Sequence, residues 1–180
     1  AGFDLGYFVP DWPGRIEGRI ATQGRARPQG GVDARFDAPA LRGTLRGRPL
    51  DARAKVQLHG EEIEGDVALS LGGSHATAKG RIGAVLDIDA RFEPLRLDDL
   101  LPGAGGVLRG TATLRGPRDT PDIAADLTGD GLHWGDWRAD SLRANGKLPW
   151  RNGNGTLHVE AHGVQAGIAM ERVVADARGA

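Results

Sequence analysis

The 180-residue sequence predicts an all-β fold built from antiparallel strands, and three observations carry that expectation. Small or apolar residues alternate with charged or polar ones almost from Gly14 to Arg178. A period of two returns side chains to the same face of a pleated strand. Short Gly-rich turns such as Asn152-Gly153-Asn154-Gly155 separate the runs, as hairpins require. The pattern then recurs about 92 residues later, the mark of a stacked assembly rather than a closed globule.

In chain order, the first strand sets Ile16, Gly18, Ile20 and Thr22 against Arg15, Glu17, Arg19 and Gln23. Val32, Ala34 and Phe36 then oppose Asp33, Arg35 and Asp37, and Leu41, Gly43 and Leu45 form a further run. Leu50, Ala52, Ala54, Val56 and Leu58 oppose Asp51, Arg53, Lys55, Gln57 and His59, the cleanest alternation in the chain. A turn at Gly60 and Glu61 leads to Ile63, Gly65, Val67, Leu69 and Leu71. After Gly72-Gly73-Ser74 come Ala76, Ala78, Gly80 and Ile82, then Leu86, Ile88, Ala90 and Phe92.

The rhythm breaks at residues 93–102. Leu97, Leu100 and Leu101 stand at i, i+3 and i+4, which predicts a short helical turn near 95–101, and Pro102 stops it. Asp98 and Asp99 read as its solvated face. Alternation resumes with Leu108, Gly110, Ala112 and Leu114, then Ile123, Ala125 and Leu127, then Leu132 and Trp134. Leu142, Ala144, Gly146, Leu148 and Trp150 follow, then Leu157, Val159 and Ala161. A last run, Val164, Ala166, Ile168 and Met170, precedes Val174.

The repeat is explicit in its glycines: Gly14, Gly18 and Gly24 recur as Gly106, Gly110 and Gly116. Downstream, Ala52 and Val56 correspond to Ala144 and Leu148. The expected organisation is the end of a preceding unit over 1–13, a first repeat over 14–105 and a truncated second over 106–180. Neither end reads as a boundary, so the chain is expected to be a piece of something longer.

Composition excludes several function classes. Net charge is −1 with acids and bases interleaved, so no basic stripe exists for a row of phosphates, and nucleic acid is not an expected partner. There is no cysteine, hence no disulfide, thiol nucleophile or Cys-ligated zinc. No run of 18 apolar residues or signal-peptide layout occurs. Gly is high, at 29 residues. Gly18, Gly43, Gly65, Gly110 and Gly146 fall on the apolar face, which is therefore lined partly by residues of little volume.

Constellations that imitate chemistry have plainer readings. His158, Glu160 and His162 share a polar face, but the outer two stand roughly 13 Å apart on a strand, too far for one metal. Asp126, Thr128, Asp130 and Gly131 imitate a calcium loop whose twelfth position is Trp137, not glutamate; turn chemistry explains them better. Gly103-Ala-Gly105-Gly106 lacks a strand–turn–helix context, and Ser70, Ser74 and Ser141 have no evident His and Asp partners. Trp12, Trp134, Trp137 and Trp150 are dispersed and read as core or groove packing rather than a sugar platform. Nothing here supports catalysis, a cofactor or a metal.

The apolar face is therefore the functional candidate. Two such faces sealed about 10 Å apart would make a sandwich. Interleaved small residues would leave costly gaps there. An open trough would solvate hydrocarbon instead, at about 0.8 kcal/mol per methylene. Periodicity alone leaves both open.

The stretch 97–127, with its helical turn ending in Leu-Pro, its Gly106-Val-Leu-Arg-Gly110 strand and its Gly116-Pro117 turn, resembles a recurrent unit of the TamB family, in the AsmA-like group of repeating β-groove proteins. A weaker copy stands at Trp12-Pro13-Gly14-Arg15-Ile16-Glu17-Gly18. The resemblance implies a long, curled antiparallel sheet forming an open taco-like groove, in a periplasmic protein of a Gram-negative cell held by an inner-membrane anchor outside this chain. It implies carriage of phospholipid acyl chains toward the outer membrane and an outer-membrane barrel partner of the TamA kind, with no catalytic residue. The implied lining is Ile16, Ile20, Val32, Phe36, Val56, Leu58, Val67, Leu69, Ile88, Phe92, Leu108, Leu114, Ile123, Leu127, Leu142 and Leu148. Two alternatives stay beside it: a lipid-free scaffold for outer-membrane barrel assembly and autotransporter secretion, and a closed sandwich adhesin or sugar-binding module.

Overall fold

A computed structural model describes residues 2–4, 13–27, 31–149 and 155–178. It is a single antiparallel sheet of twelve strands in which each strand pairs with the next in sequence. These are β1 (Gly2–Asp4), β2 (Gly14–Ala26), β3 (Val32–Leu45), β4 (Arg48–His59), β5 (Glu62–Leu71) and β6 (Ser74–Ile82). β7 (Val85–Arg96) leads through one helical turn, α1 (Leu97–Leu100), into β8 (Ala104–Pro117). β9 (Asp122–Trp134), β10 (Trp137–Leu148), β11 (Thr156–Ala166) and β12 (Ala169–Arg178) complete it. The end strands do not pair with each other, and no second sheet lies over this one among the described residues. The all-β, open-sheet expectation holds; the sandwich does not.

Turn chemistry explains the meander. Arg46 and Gly47 link Leu45 to Arg48 with φ of 52° and 73°, the left-handed pair that a two-residue hairpin demands. Register is then specified on the charged face. Asp37, Lys55, Asp66, Lys79 and Asp89 stand opposite one another across β3 to β7. Glu64, Arg81, Asp87, Arg115 and Asp122 do so across β5 to β9. A one-residue slip would bring the apolar residues to the charged side, and opposite charges in directly paired positions favour the observed alignment.

Four sequence expectations need correction. The runs around Phe36 and Leu41 are one strand, β3, whose register shifts between Ala38 and Leu41. An extra residue at Pro39 and Ala40 moves the apolar positions from even to odd numbers, as a bulge does. Likewise Leu127 and Leu132 share β9, which slips at Gly131 and Leu132, so Asp126 to Gly131 is strand and not turn. The run from Val164 to Met170 is the end of β11, a hairpin at Gly167 and Ile168, and the start of β12. Finally, β7 runs on through Glu93 and Pro94 to Arg96 across another register shift, so the break begins at Leu97 rather than at residue 93, and the expected helical turn stands as α1. The turn at Asn152 to Asn154, with Trp12 and Trp150, lies outside the described residues.

The core is small and sits at one rim. Leu45, Leu50 and Leu71 cluster, with Ile16, Ala52, Leu69 and Leu100 packed on them.

Candidate functional site

The site is built by register, because residues opposite one another on neighbouring strands share a face. Three rows cross the apolar side at right angles to the strands. One contains Phe36, Val56, Gly65, Gly80, Ile88, Leu114, Ile123 and Leu148. Another contains Leu41, Ala52, Leu69, Ala76, Phe92, Gly110, Leu127, Ala144 and Val159. Between them runs a third: Ala38, Ala54, Val67, Ala78, Ala90, Ala112, Ala125 and Gly146. Seven of its eight positions are alanine or glycine. It forms a shallow furrow between two rows that carry the large side chains, broken by Gly65 and Gly80 in one and by Ala52, Ala76, Gly110 and Ala144 in the other. Seven strand spacings of about 4.8 Å make it about 34 Å long, slightly more than the hydrocarbon thickness of a bilayer.

Register and alternation put all sixteen expected lining residues on this side. Ile16 lies on the row of Leu50 and Leu71, and Leu58 on that of Ile63. Leu108 and Leu142 share Gly129 as a partner. Ile20 and Val32 follow from the alternation of β2 and β3. Of the sixteen, Leu148 alone is buried, while Ile20, Val32 and Val67 are exposed and the rest are half-buried. Side chains this apolar would be sealed in a two-layer protein. Among the described residues no second layer lies over them.

Glycine shapes the floor in two ways. At Gly80 and Gly110, with φ of 141° and 121°, a Cβ would collide with the Asp87 and Asp126 carbonyls on the adjoining strands. These glycines permit close backbone approach, a role beyond the low volume expected of them. Gly65 and Gly80 are also direct partners. Their missing side chains leave a depression of about 190 Å³ lined by Val56, Ile63, Val67, Ala78, Ile82 and Ile88. Larger recesses, one of about 550 Å³, open on the opposite face among Arg53, Asp66, Lys79, Asp89 and Arg91. Their lining mixes both charge signs on a water-facing surface, so they read as gaps between solvated side chains.

The polar face carries ion pairs between its strands. Arg172 Nε donates to Glu160 at 2.6 Å, His162 Nε2 lies 3.1 Å from the same oxygen, and His158 Nδ1 lies 2.7 Å from Asp176. The Arg172 hydrogen bond, aided by His162, holds the Glu160 carboxyl below its usual range against a smaller desolvation effect. Arg115 bonds Asp87, Asp89 and the Ile88 carbonyl. Ser70 meets His75 at 2.9 Å, a pair that sequence reading did not anticipate.

Two further expectations fail. Trp134 is 65% exposed at the β9–β10 hairpin, directly opposite Trp137, so of the core and groove readings the core one falls. Asp99 is fully buried, not solvated. Sequence reading also missed the alanine furrow. Its signal was present, since each alanine stands two residues from a large apolar neighbour, but only register aligns eight strands into one line.

The family model described as "TamB, N-terminal domain" matches residues 1–180. The "Translocation and assembly module subunit TamB" of Haemophilus influenzae is 24% identical over 132 residues, covering 72% of this chain. The match spans about 10% of that relative's length. No solved structure matches.

Proposed function

Because this chain belongs to the TamB N-terminal domain family, we propose that it is one segment of a hydrophobic β-groove carrying phospholipid acyl chains through the periplasm, between inner and outer membranes, within a translocation and assembly module. The carrying observation is the furrow from Ala54 on β4 to Gly146 on β10, set between two apolar rows, over which no second sheet lies among the described residues. An acyl chain laid in it exchanges water for alkyl contacts on one side. For about sixteen methylenes, half covered, that is about 6 kcal/mol. Held by area alone, with no directional bond, a chain would be retained yet free to slide.

The repeat supports the same reading. β8 to β12 stand six strands after β2 to β6, and their sequences match at the offset found above. Units over 14–105 and 106–180 would then lay their furrows end to end, with residues 1–13 closing the unit before. The inner-membrane anchor and the surface for an outer-membrane barrel partner of the TamA kind belong to other parts of the protein. The relative's name speaks of translocation and assembly, and a client polypeptide strand on the same face is the competing occupant.

Lipid extraction from the purified full-length protein separates them. Phospholipid should co-purify with the unsubstituted protein and fall to background when Ala90→Arg and Ala112→Arg obstruct the furrow together. Equal lipid in both, or none in either, would overturn the proposal.

A further inference from the structure

Where the other described hairpins at its rim turn in two residues, the chain after β7 folds back as α1, a detour fastened by a buried carboxylate. Asp99 is fully enclosed, a costly position for a carboxylate unless it is paired. Its Oδ2 accepts from Ser74 Oγ at 2.6 Å and from the Gly73 amide at 3.2 Å, while Oδ1 faces the Arg48 guanidinium. Ser74, also buried, accepts from the Arg96 amide at 2.8 Å. Arg48 reaches Asp98 Oδ2 at 2.9 Å, and Arg46 donates to the Asp98 carbonyl at 3.4 Å. Burial alone would raise the Asp98 carboxyl, but the Arg48 hydrogen bond with the charges of Arg48 and Arg96 brings it below its usual value. One helical turn is thus tied to the β3–β4 and β5–β6 turns, neither adjacent to it in sequence.

Its apolar side completes the clasp, with Leu100 packed against Leu45, Leu50 and Leu71. At the α1 rim, Leu45, Leu50, Leu71 and Leu95 are at most 8% exposed. At the opposite rim Val32, Ile63, Ile82 and Val85 are between 41% and 57% exposed. The contrast is local to the strands beside α1, since Trp134 and Ile168 farther along the same rim are 65% exposed and Leu86 at the opposite rim is buried.

We propose that α1 is a strap, held by Asp99 and Arg48 on the β3–β4 and β5–β6 turns, that shuts the stretch of rim beside it over Leu45, Leu50 and Leu71 and leaves the facing stretch at Val32, Ile63 and Ile82 open. The device stands whatever occupies the face. Asp99→Asn would keep the shape but place an amide nitrogen against either Arg48 or the Ser74 and Gly73 donors, undoing the clasp.

Hydrogen–deuterium exchange on the full-length protein tests it. D99N should speed exchange at least tenfold over residues 94–104 and at 73–74, with residues 51–58 and 63–69 unchanged. Unchanged exchange over 94–104 would overturn the proposal. So would a uniform rise through every strand, which would make Asp99 a determinant of the whole sheet. Should D99N fail to accumulate, Arg48→Lys keeps a cation for Asp99 but loses the two-pronged hold on Asp98 and Asp99, and faster exchange over 94–104 with 73–74 unchanged is then the expected result.

Discussion

Val67→Asp separates an open face from a sealed one. Val67 lies in the furrow between Ala54 and Ala78 and is already 37% exposed. Full burial of a valine contributes about 1.5–3 kcal/mol, so losing the covered part costs β5 about 1–2 kcal/mol. Among the described residues no second layer covers the site, so the new carboxylate keeps water and adds little. Local opening of β5 should therefore speed up about tenfold, readable as exchange over residues 62–71. Lipid movement should suffer far more, because hydrocarbon sliding past residue 67 would strip water from a charge. Pulse-labelled phospholipid arriving at the outer membrane should fall by at least tenfold. A sealed interior would reverse the pattern, with an unpaired buried charge costing several kcal/mol. Collapse of β5 protection with normal lipid arrival would refute the reasoning.

Leu71→Ala, at a fully buried position in the rim cluster, should cost about 2–5 kcal/mol. Ile82→Ala at the exposed rim should cost less than about 1 kcal/mol, and susceptibility to pulse proteolysis ranks the two. Gly110→Ala should open the β8–β9 ladder, since φ there is 121° and a Cβ meets the Asp126 carbonyl; faster exchange confined to residues 104–134 would show it. Glu160 has a folded-state pKa below its ordinary value. Its contribution is therefore complete above the usual glutamate range of about 4.3 and fades as pH falls through the lower folded value. The β11–β12 hairpin should loosen across that acid window after correction for intrinsic exchange, and Arg172→Gln should remove that pH dependence.

Strands were legible because alternation states face directly, as over residues 50–58. Bulges were half legible. The switch from even to odd apolar positions between Phe36 and Leu41 is visible in the sequence, but a proline between them reads equally as a strand break. The same ambiguity divided β9 at Gly131. Asp99 was illegible because its partners, Arg48 and Ser74, are 51 and 25 residues away, and a helix with two acids looks solvated until something covers it. Trp134 misled for the opposite reason. Its parity was apolar, but it sits beside a hairpin tip where nothing packs. Register, the product of turns and charge pairing on the far face, made a furrow from alanines that separately mean nothing.

Photocrosslinking in cells, with a photoreactive residue at Val67 or at Leu127 of the full-length protein, addresses the exposed apolar face most directly. The account predicts phospholipid adducts at both positions, Val67 within the furrow on β5 and Leu127 in the row beside it on β9. Adducts only to other residues of this chain, or to a client polypeptide with no lipid at either site, would contradict it.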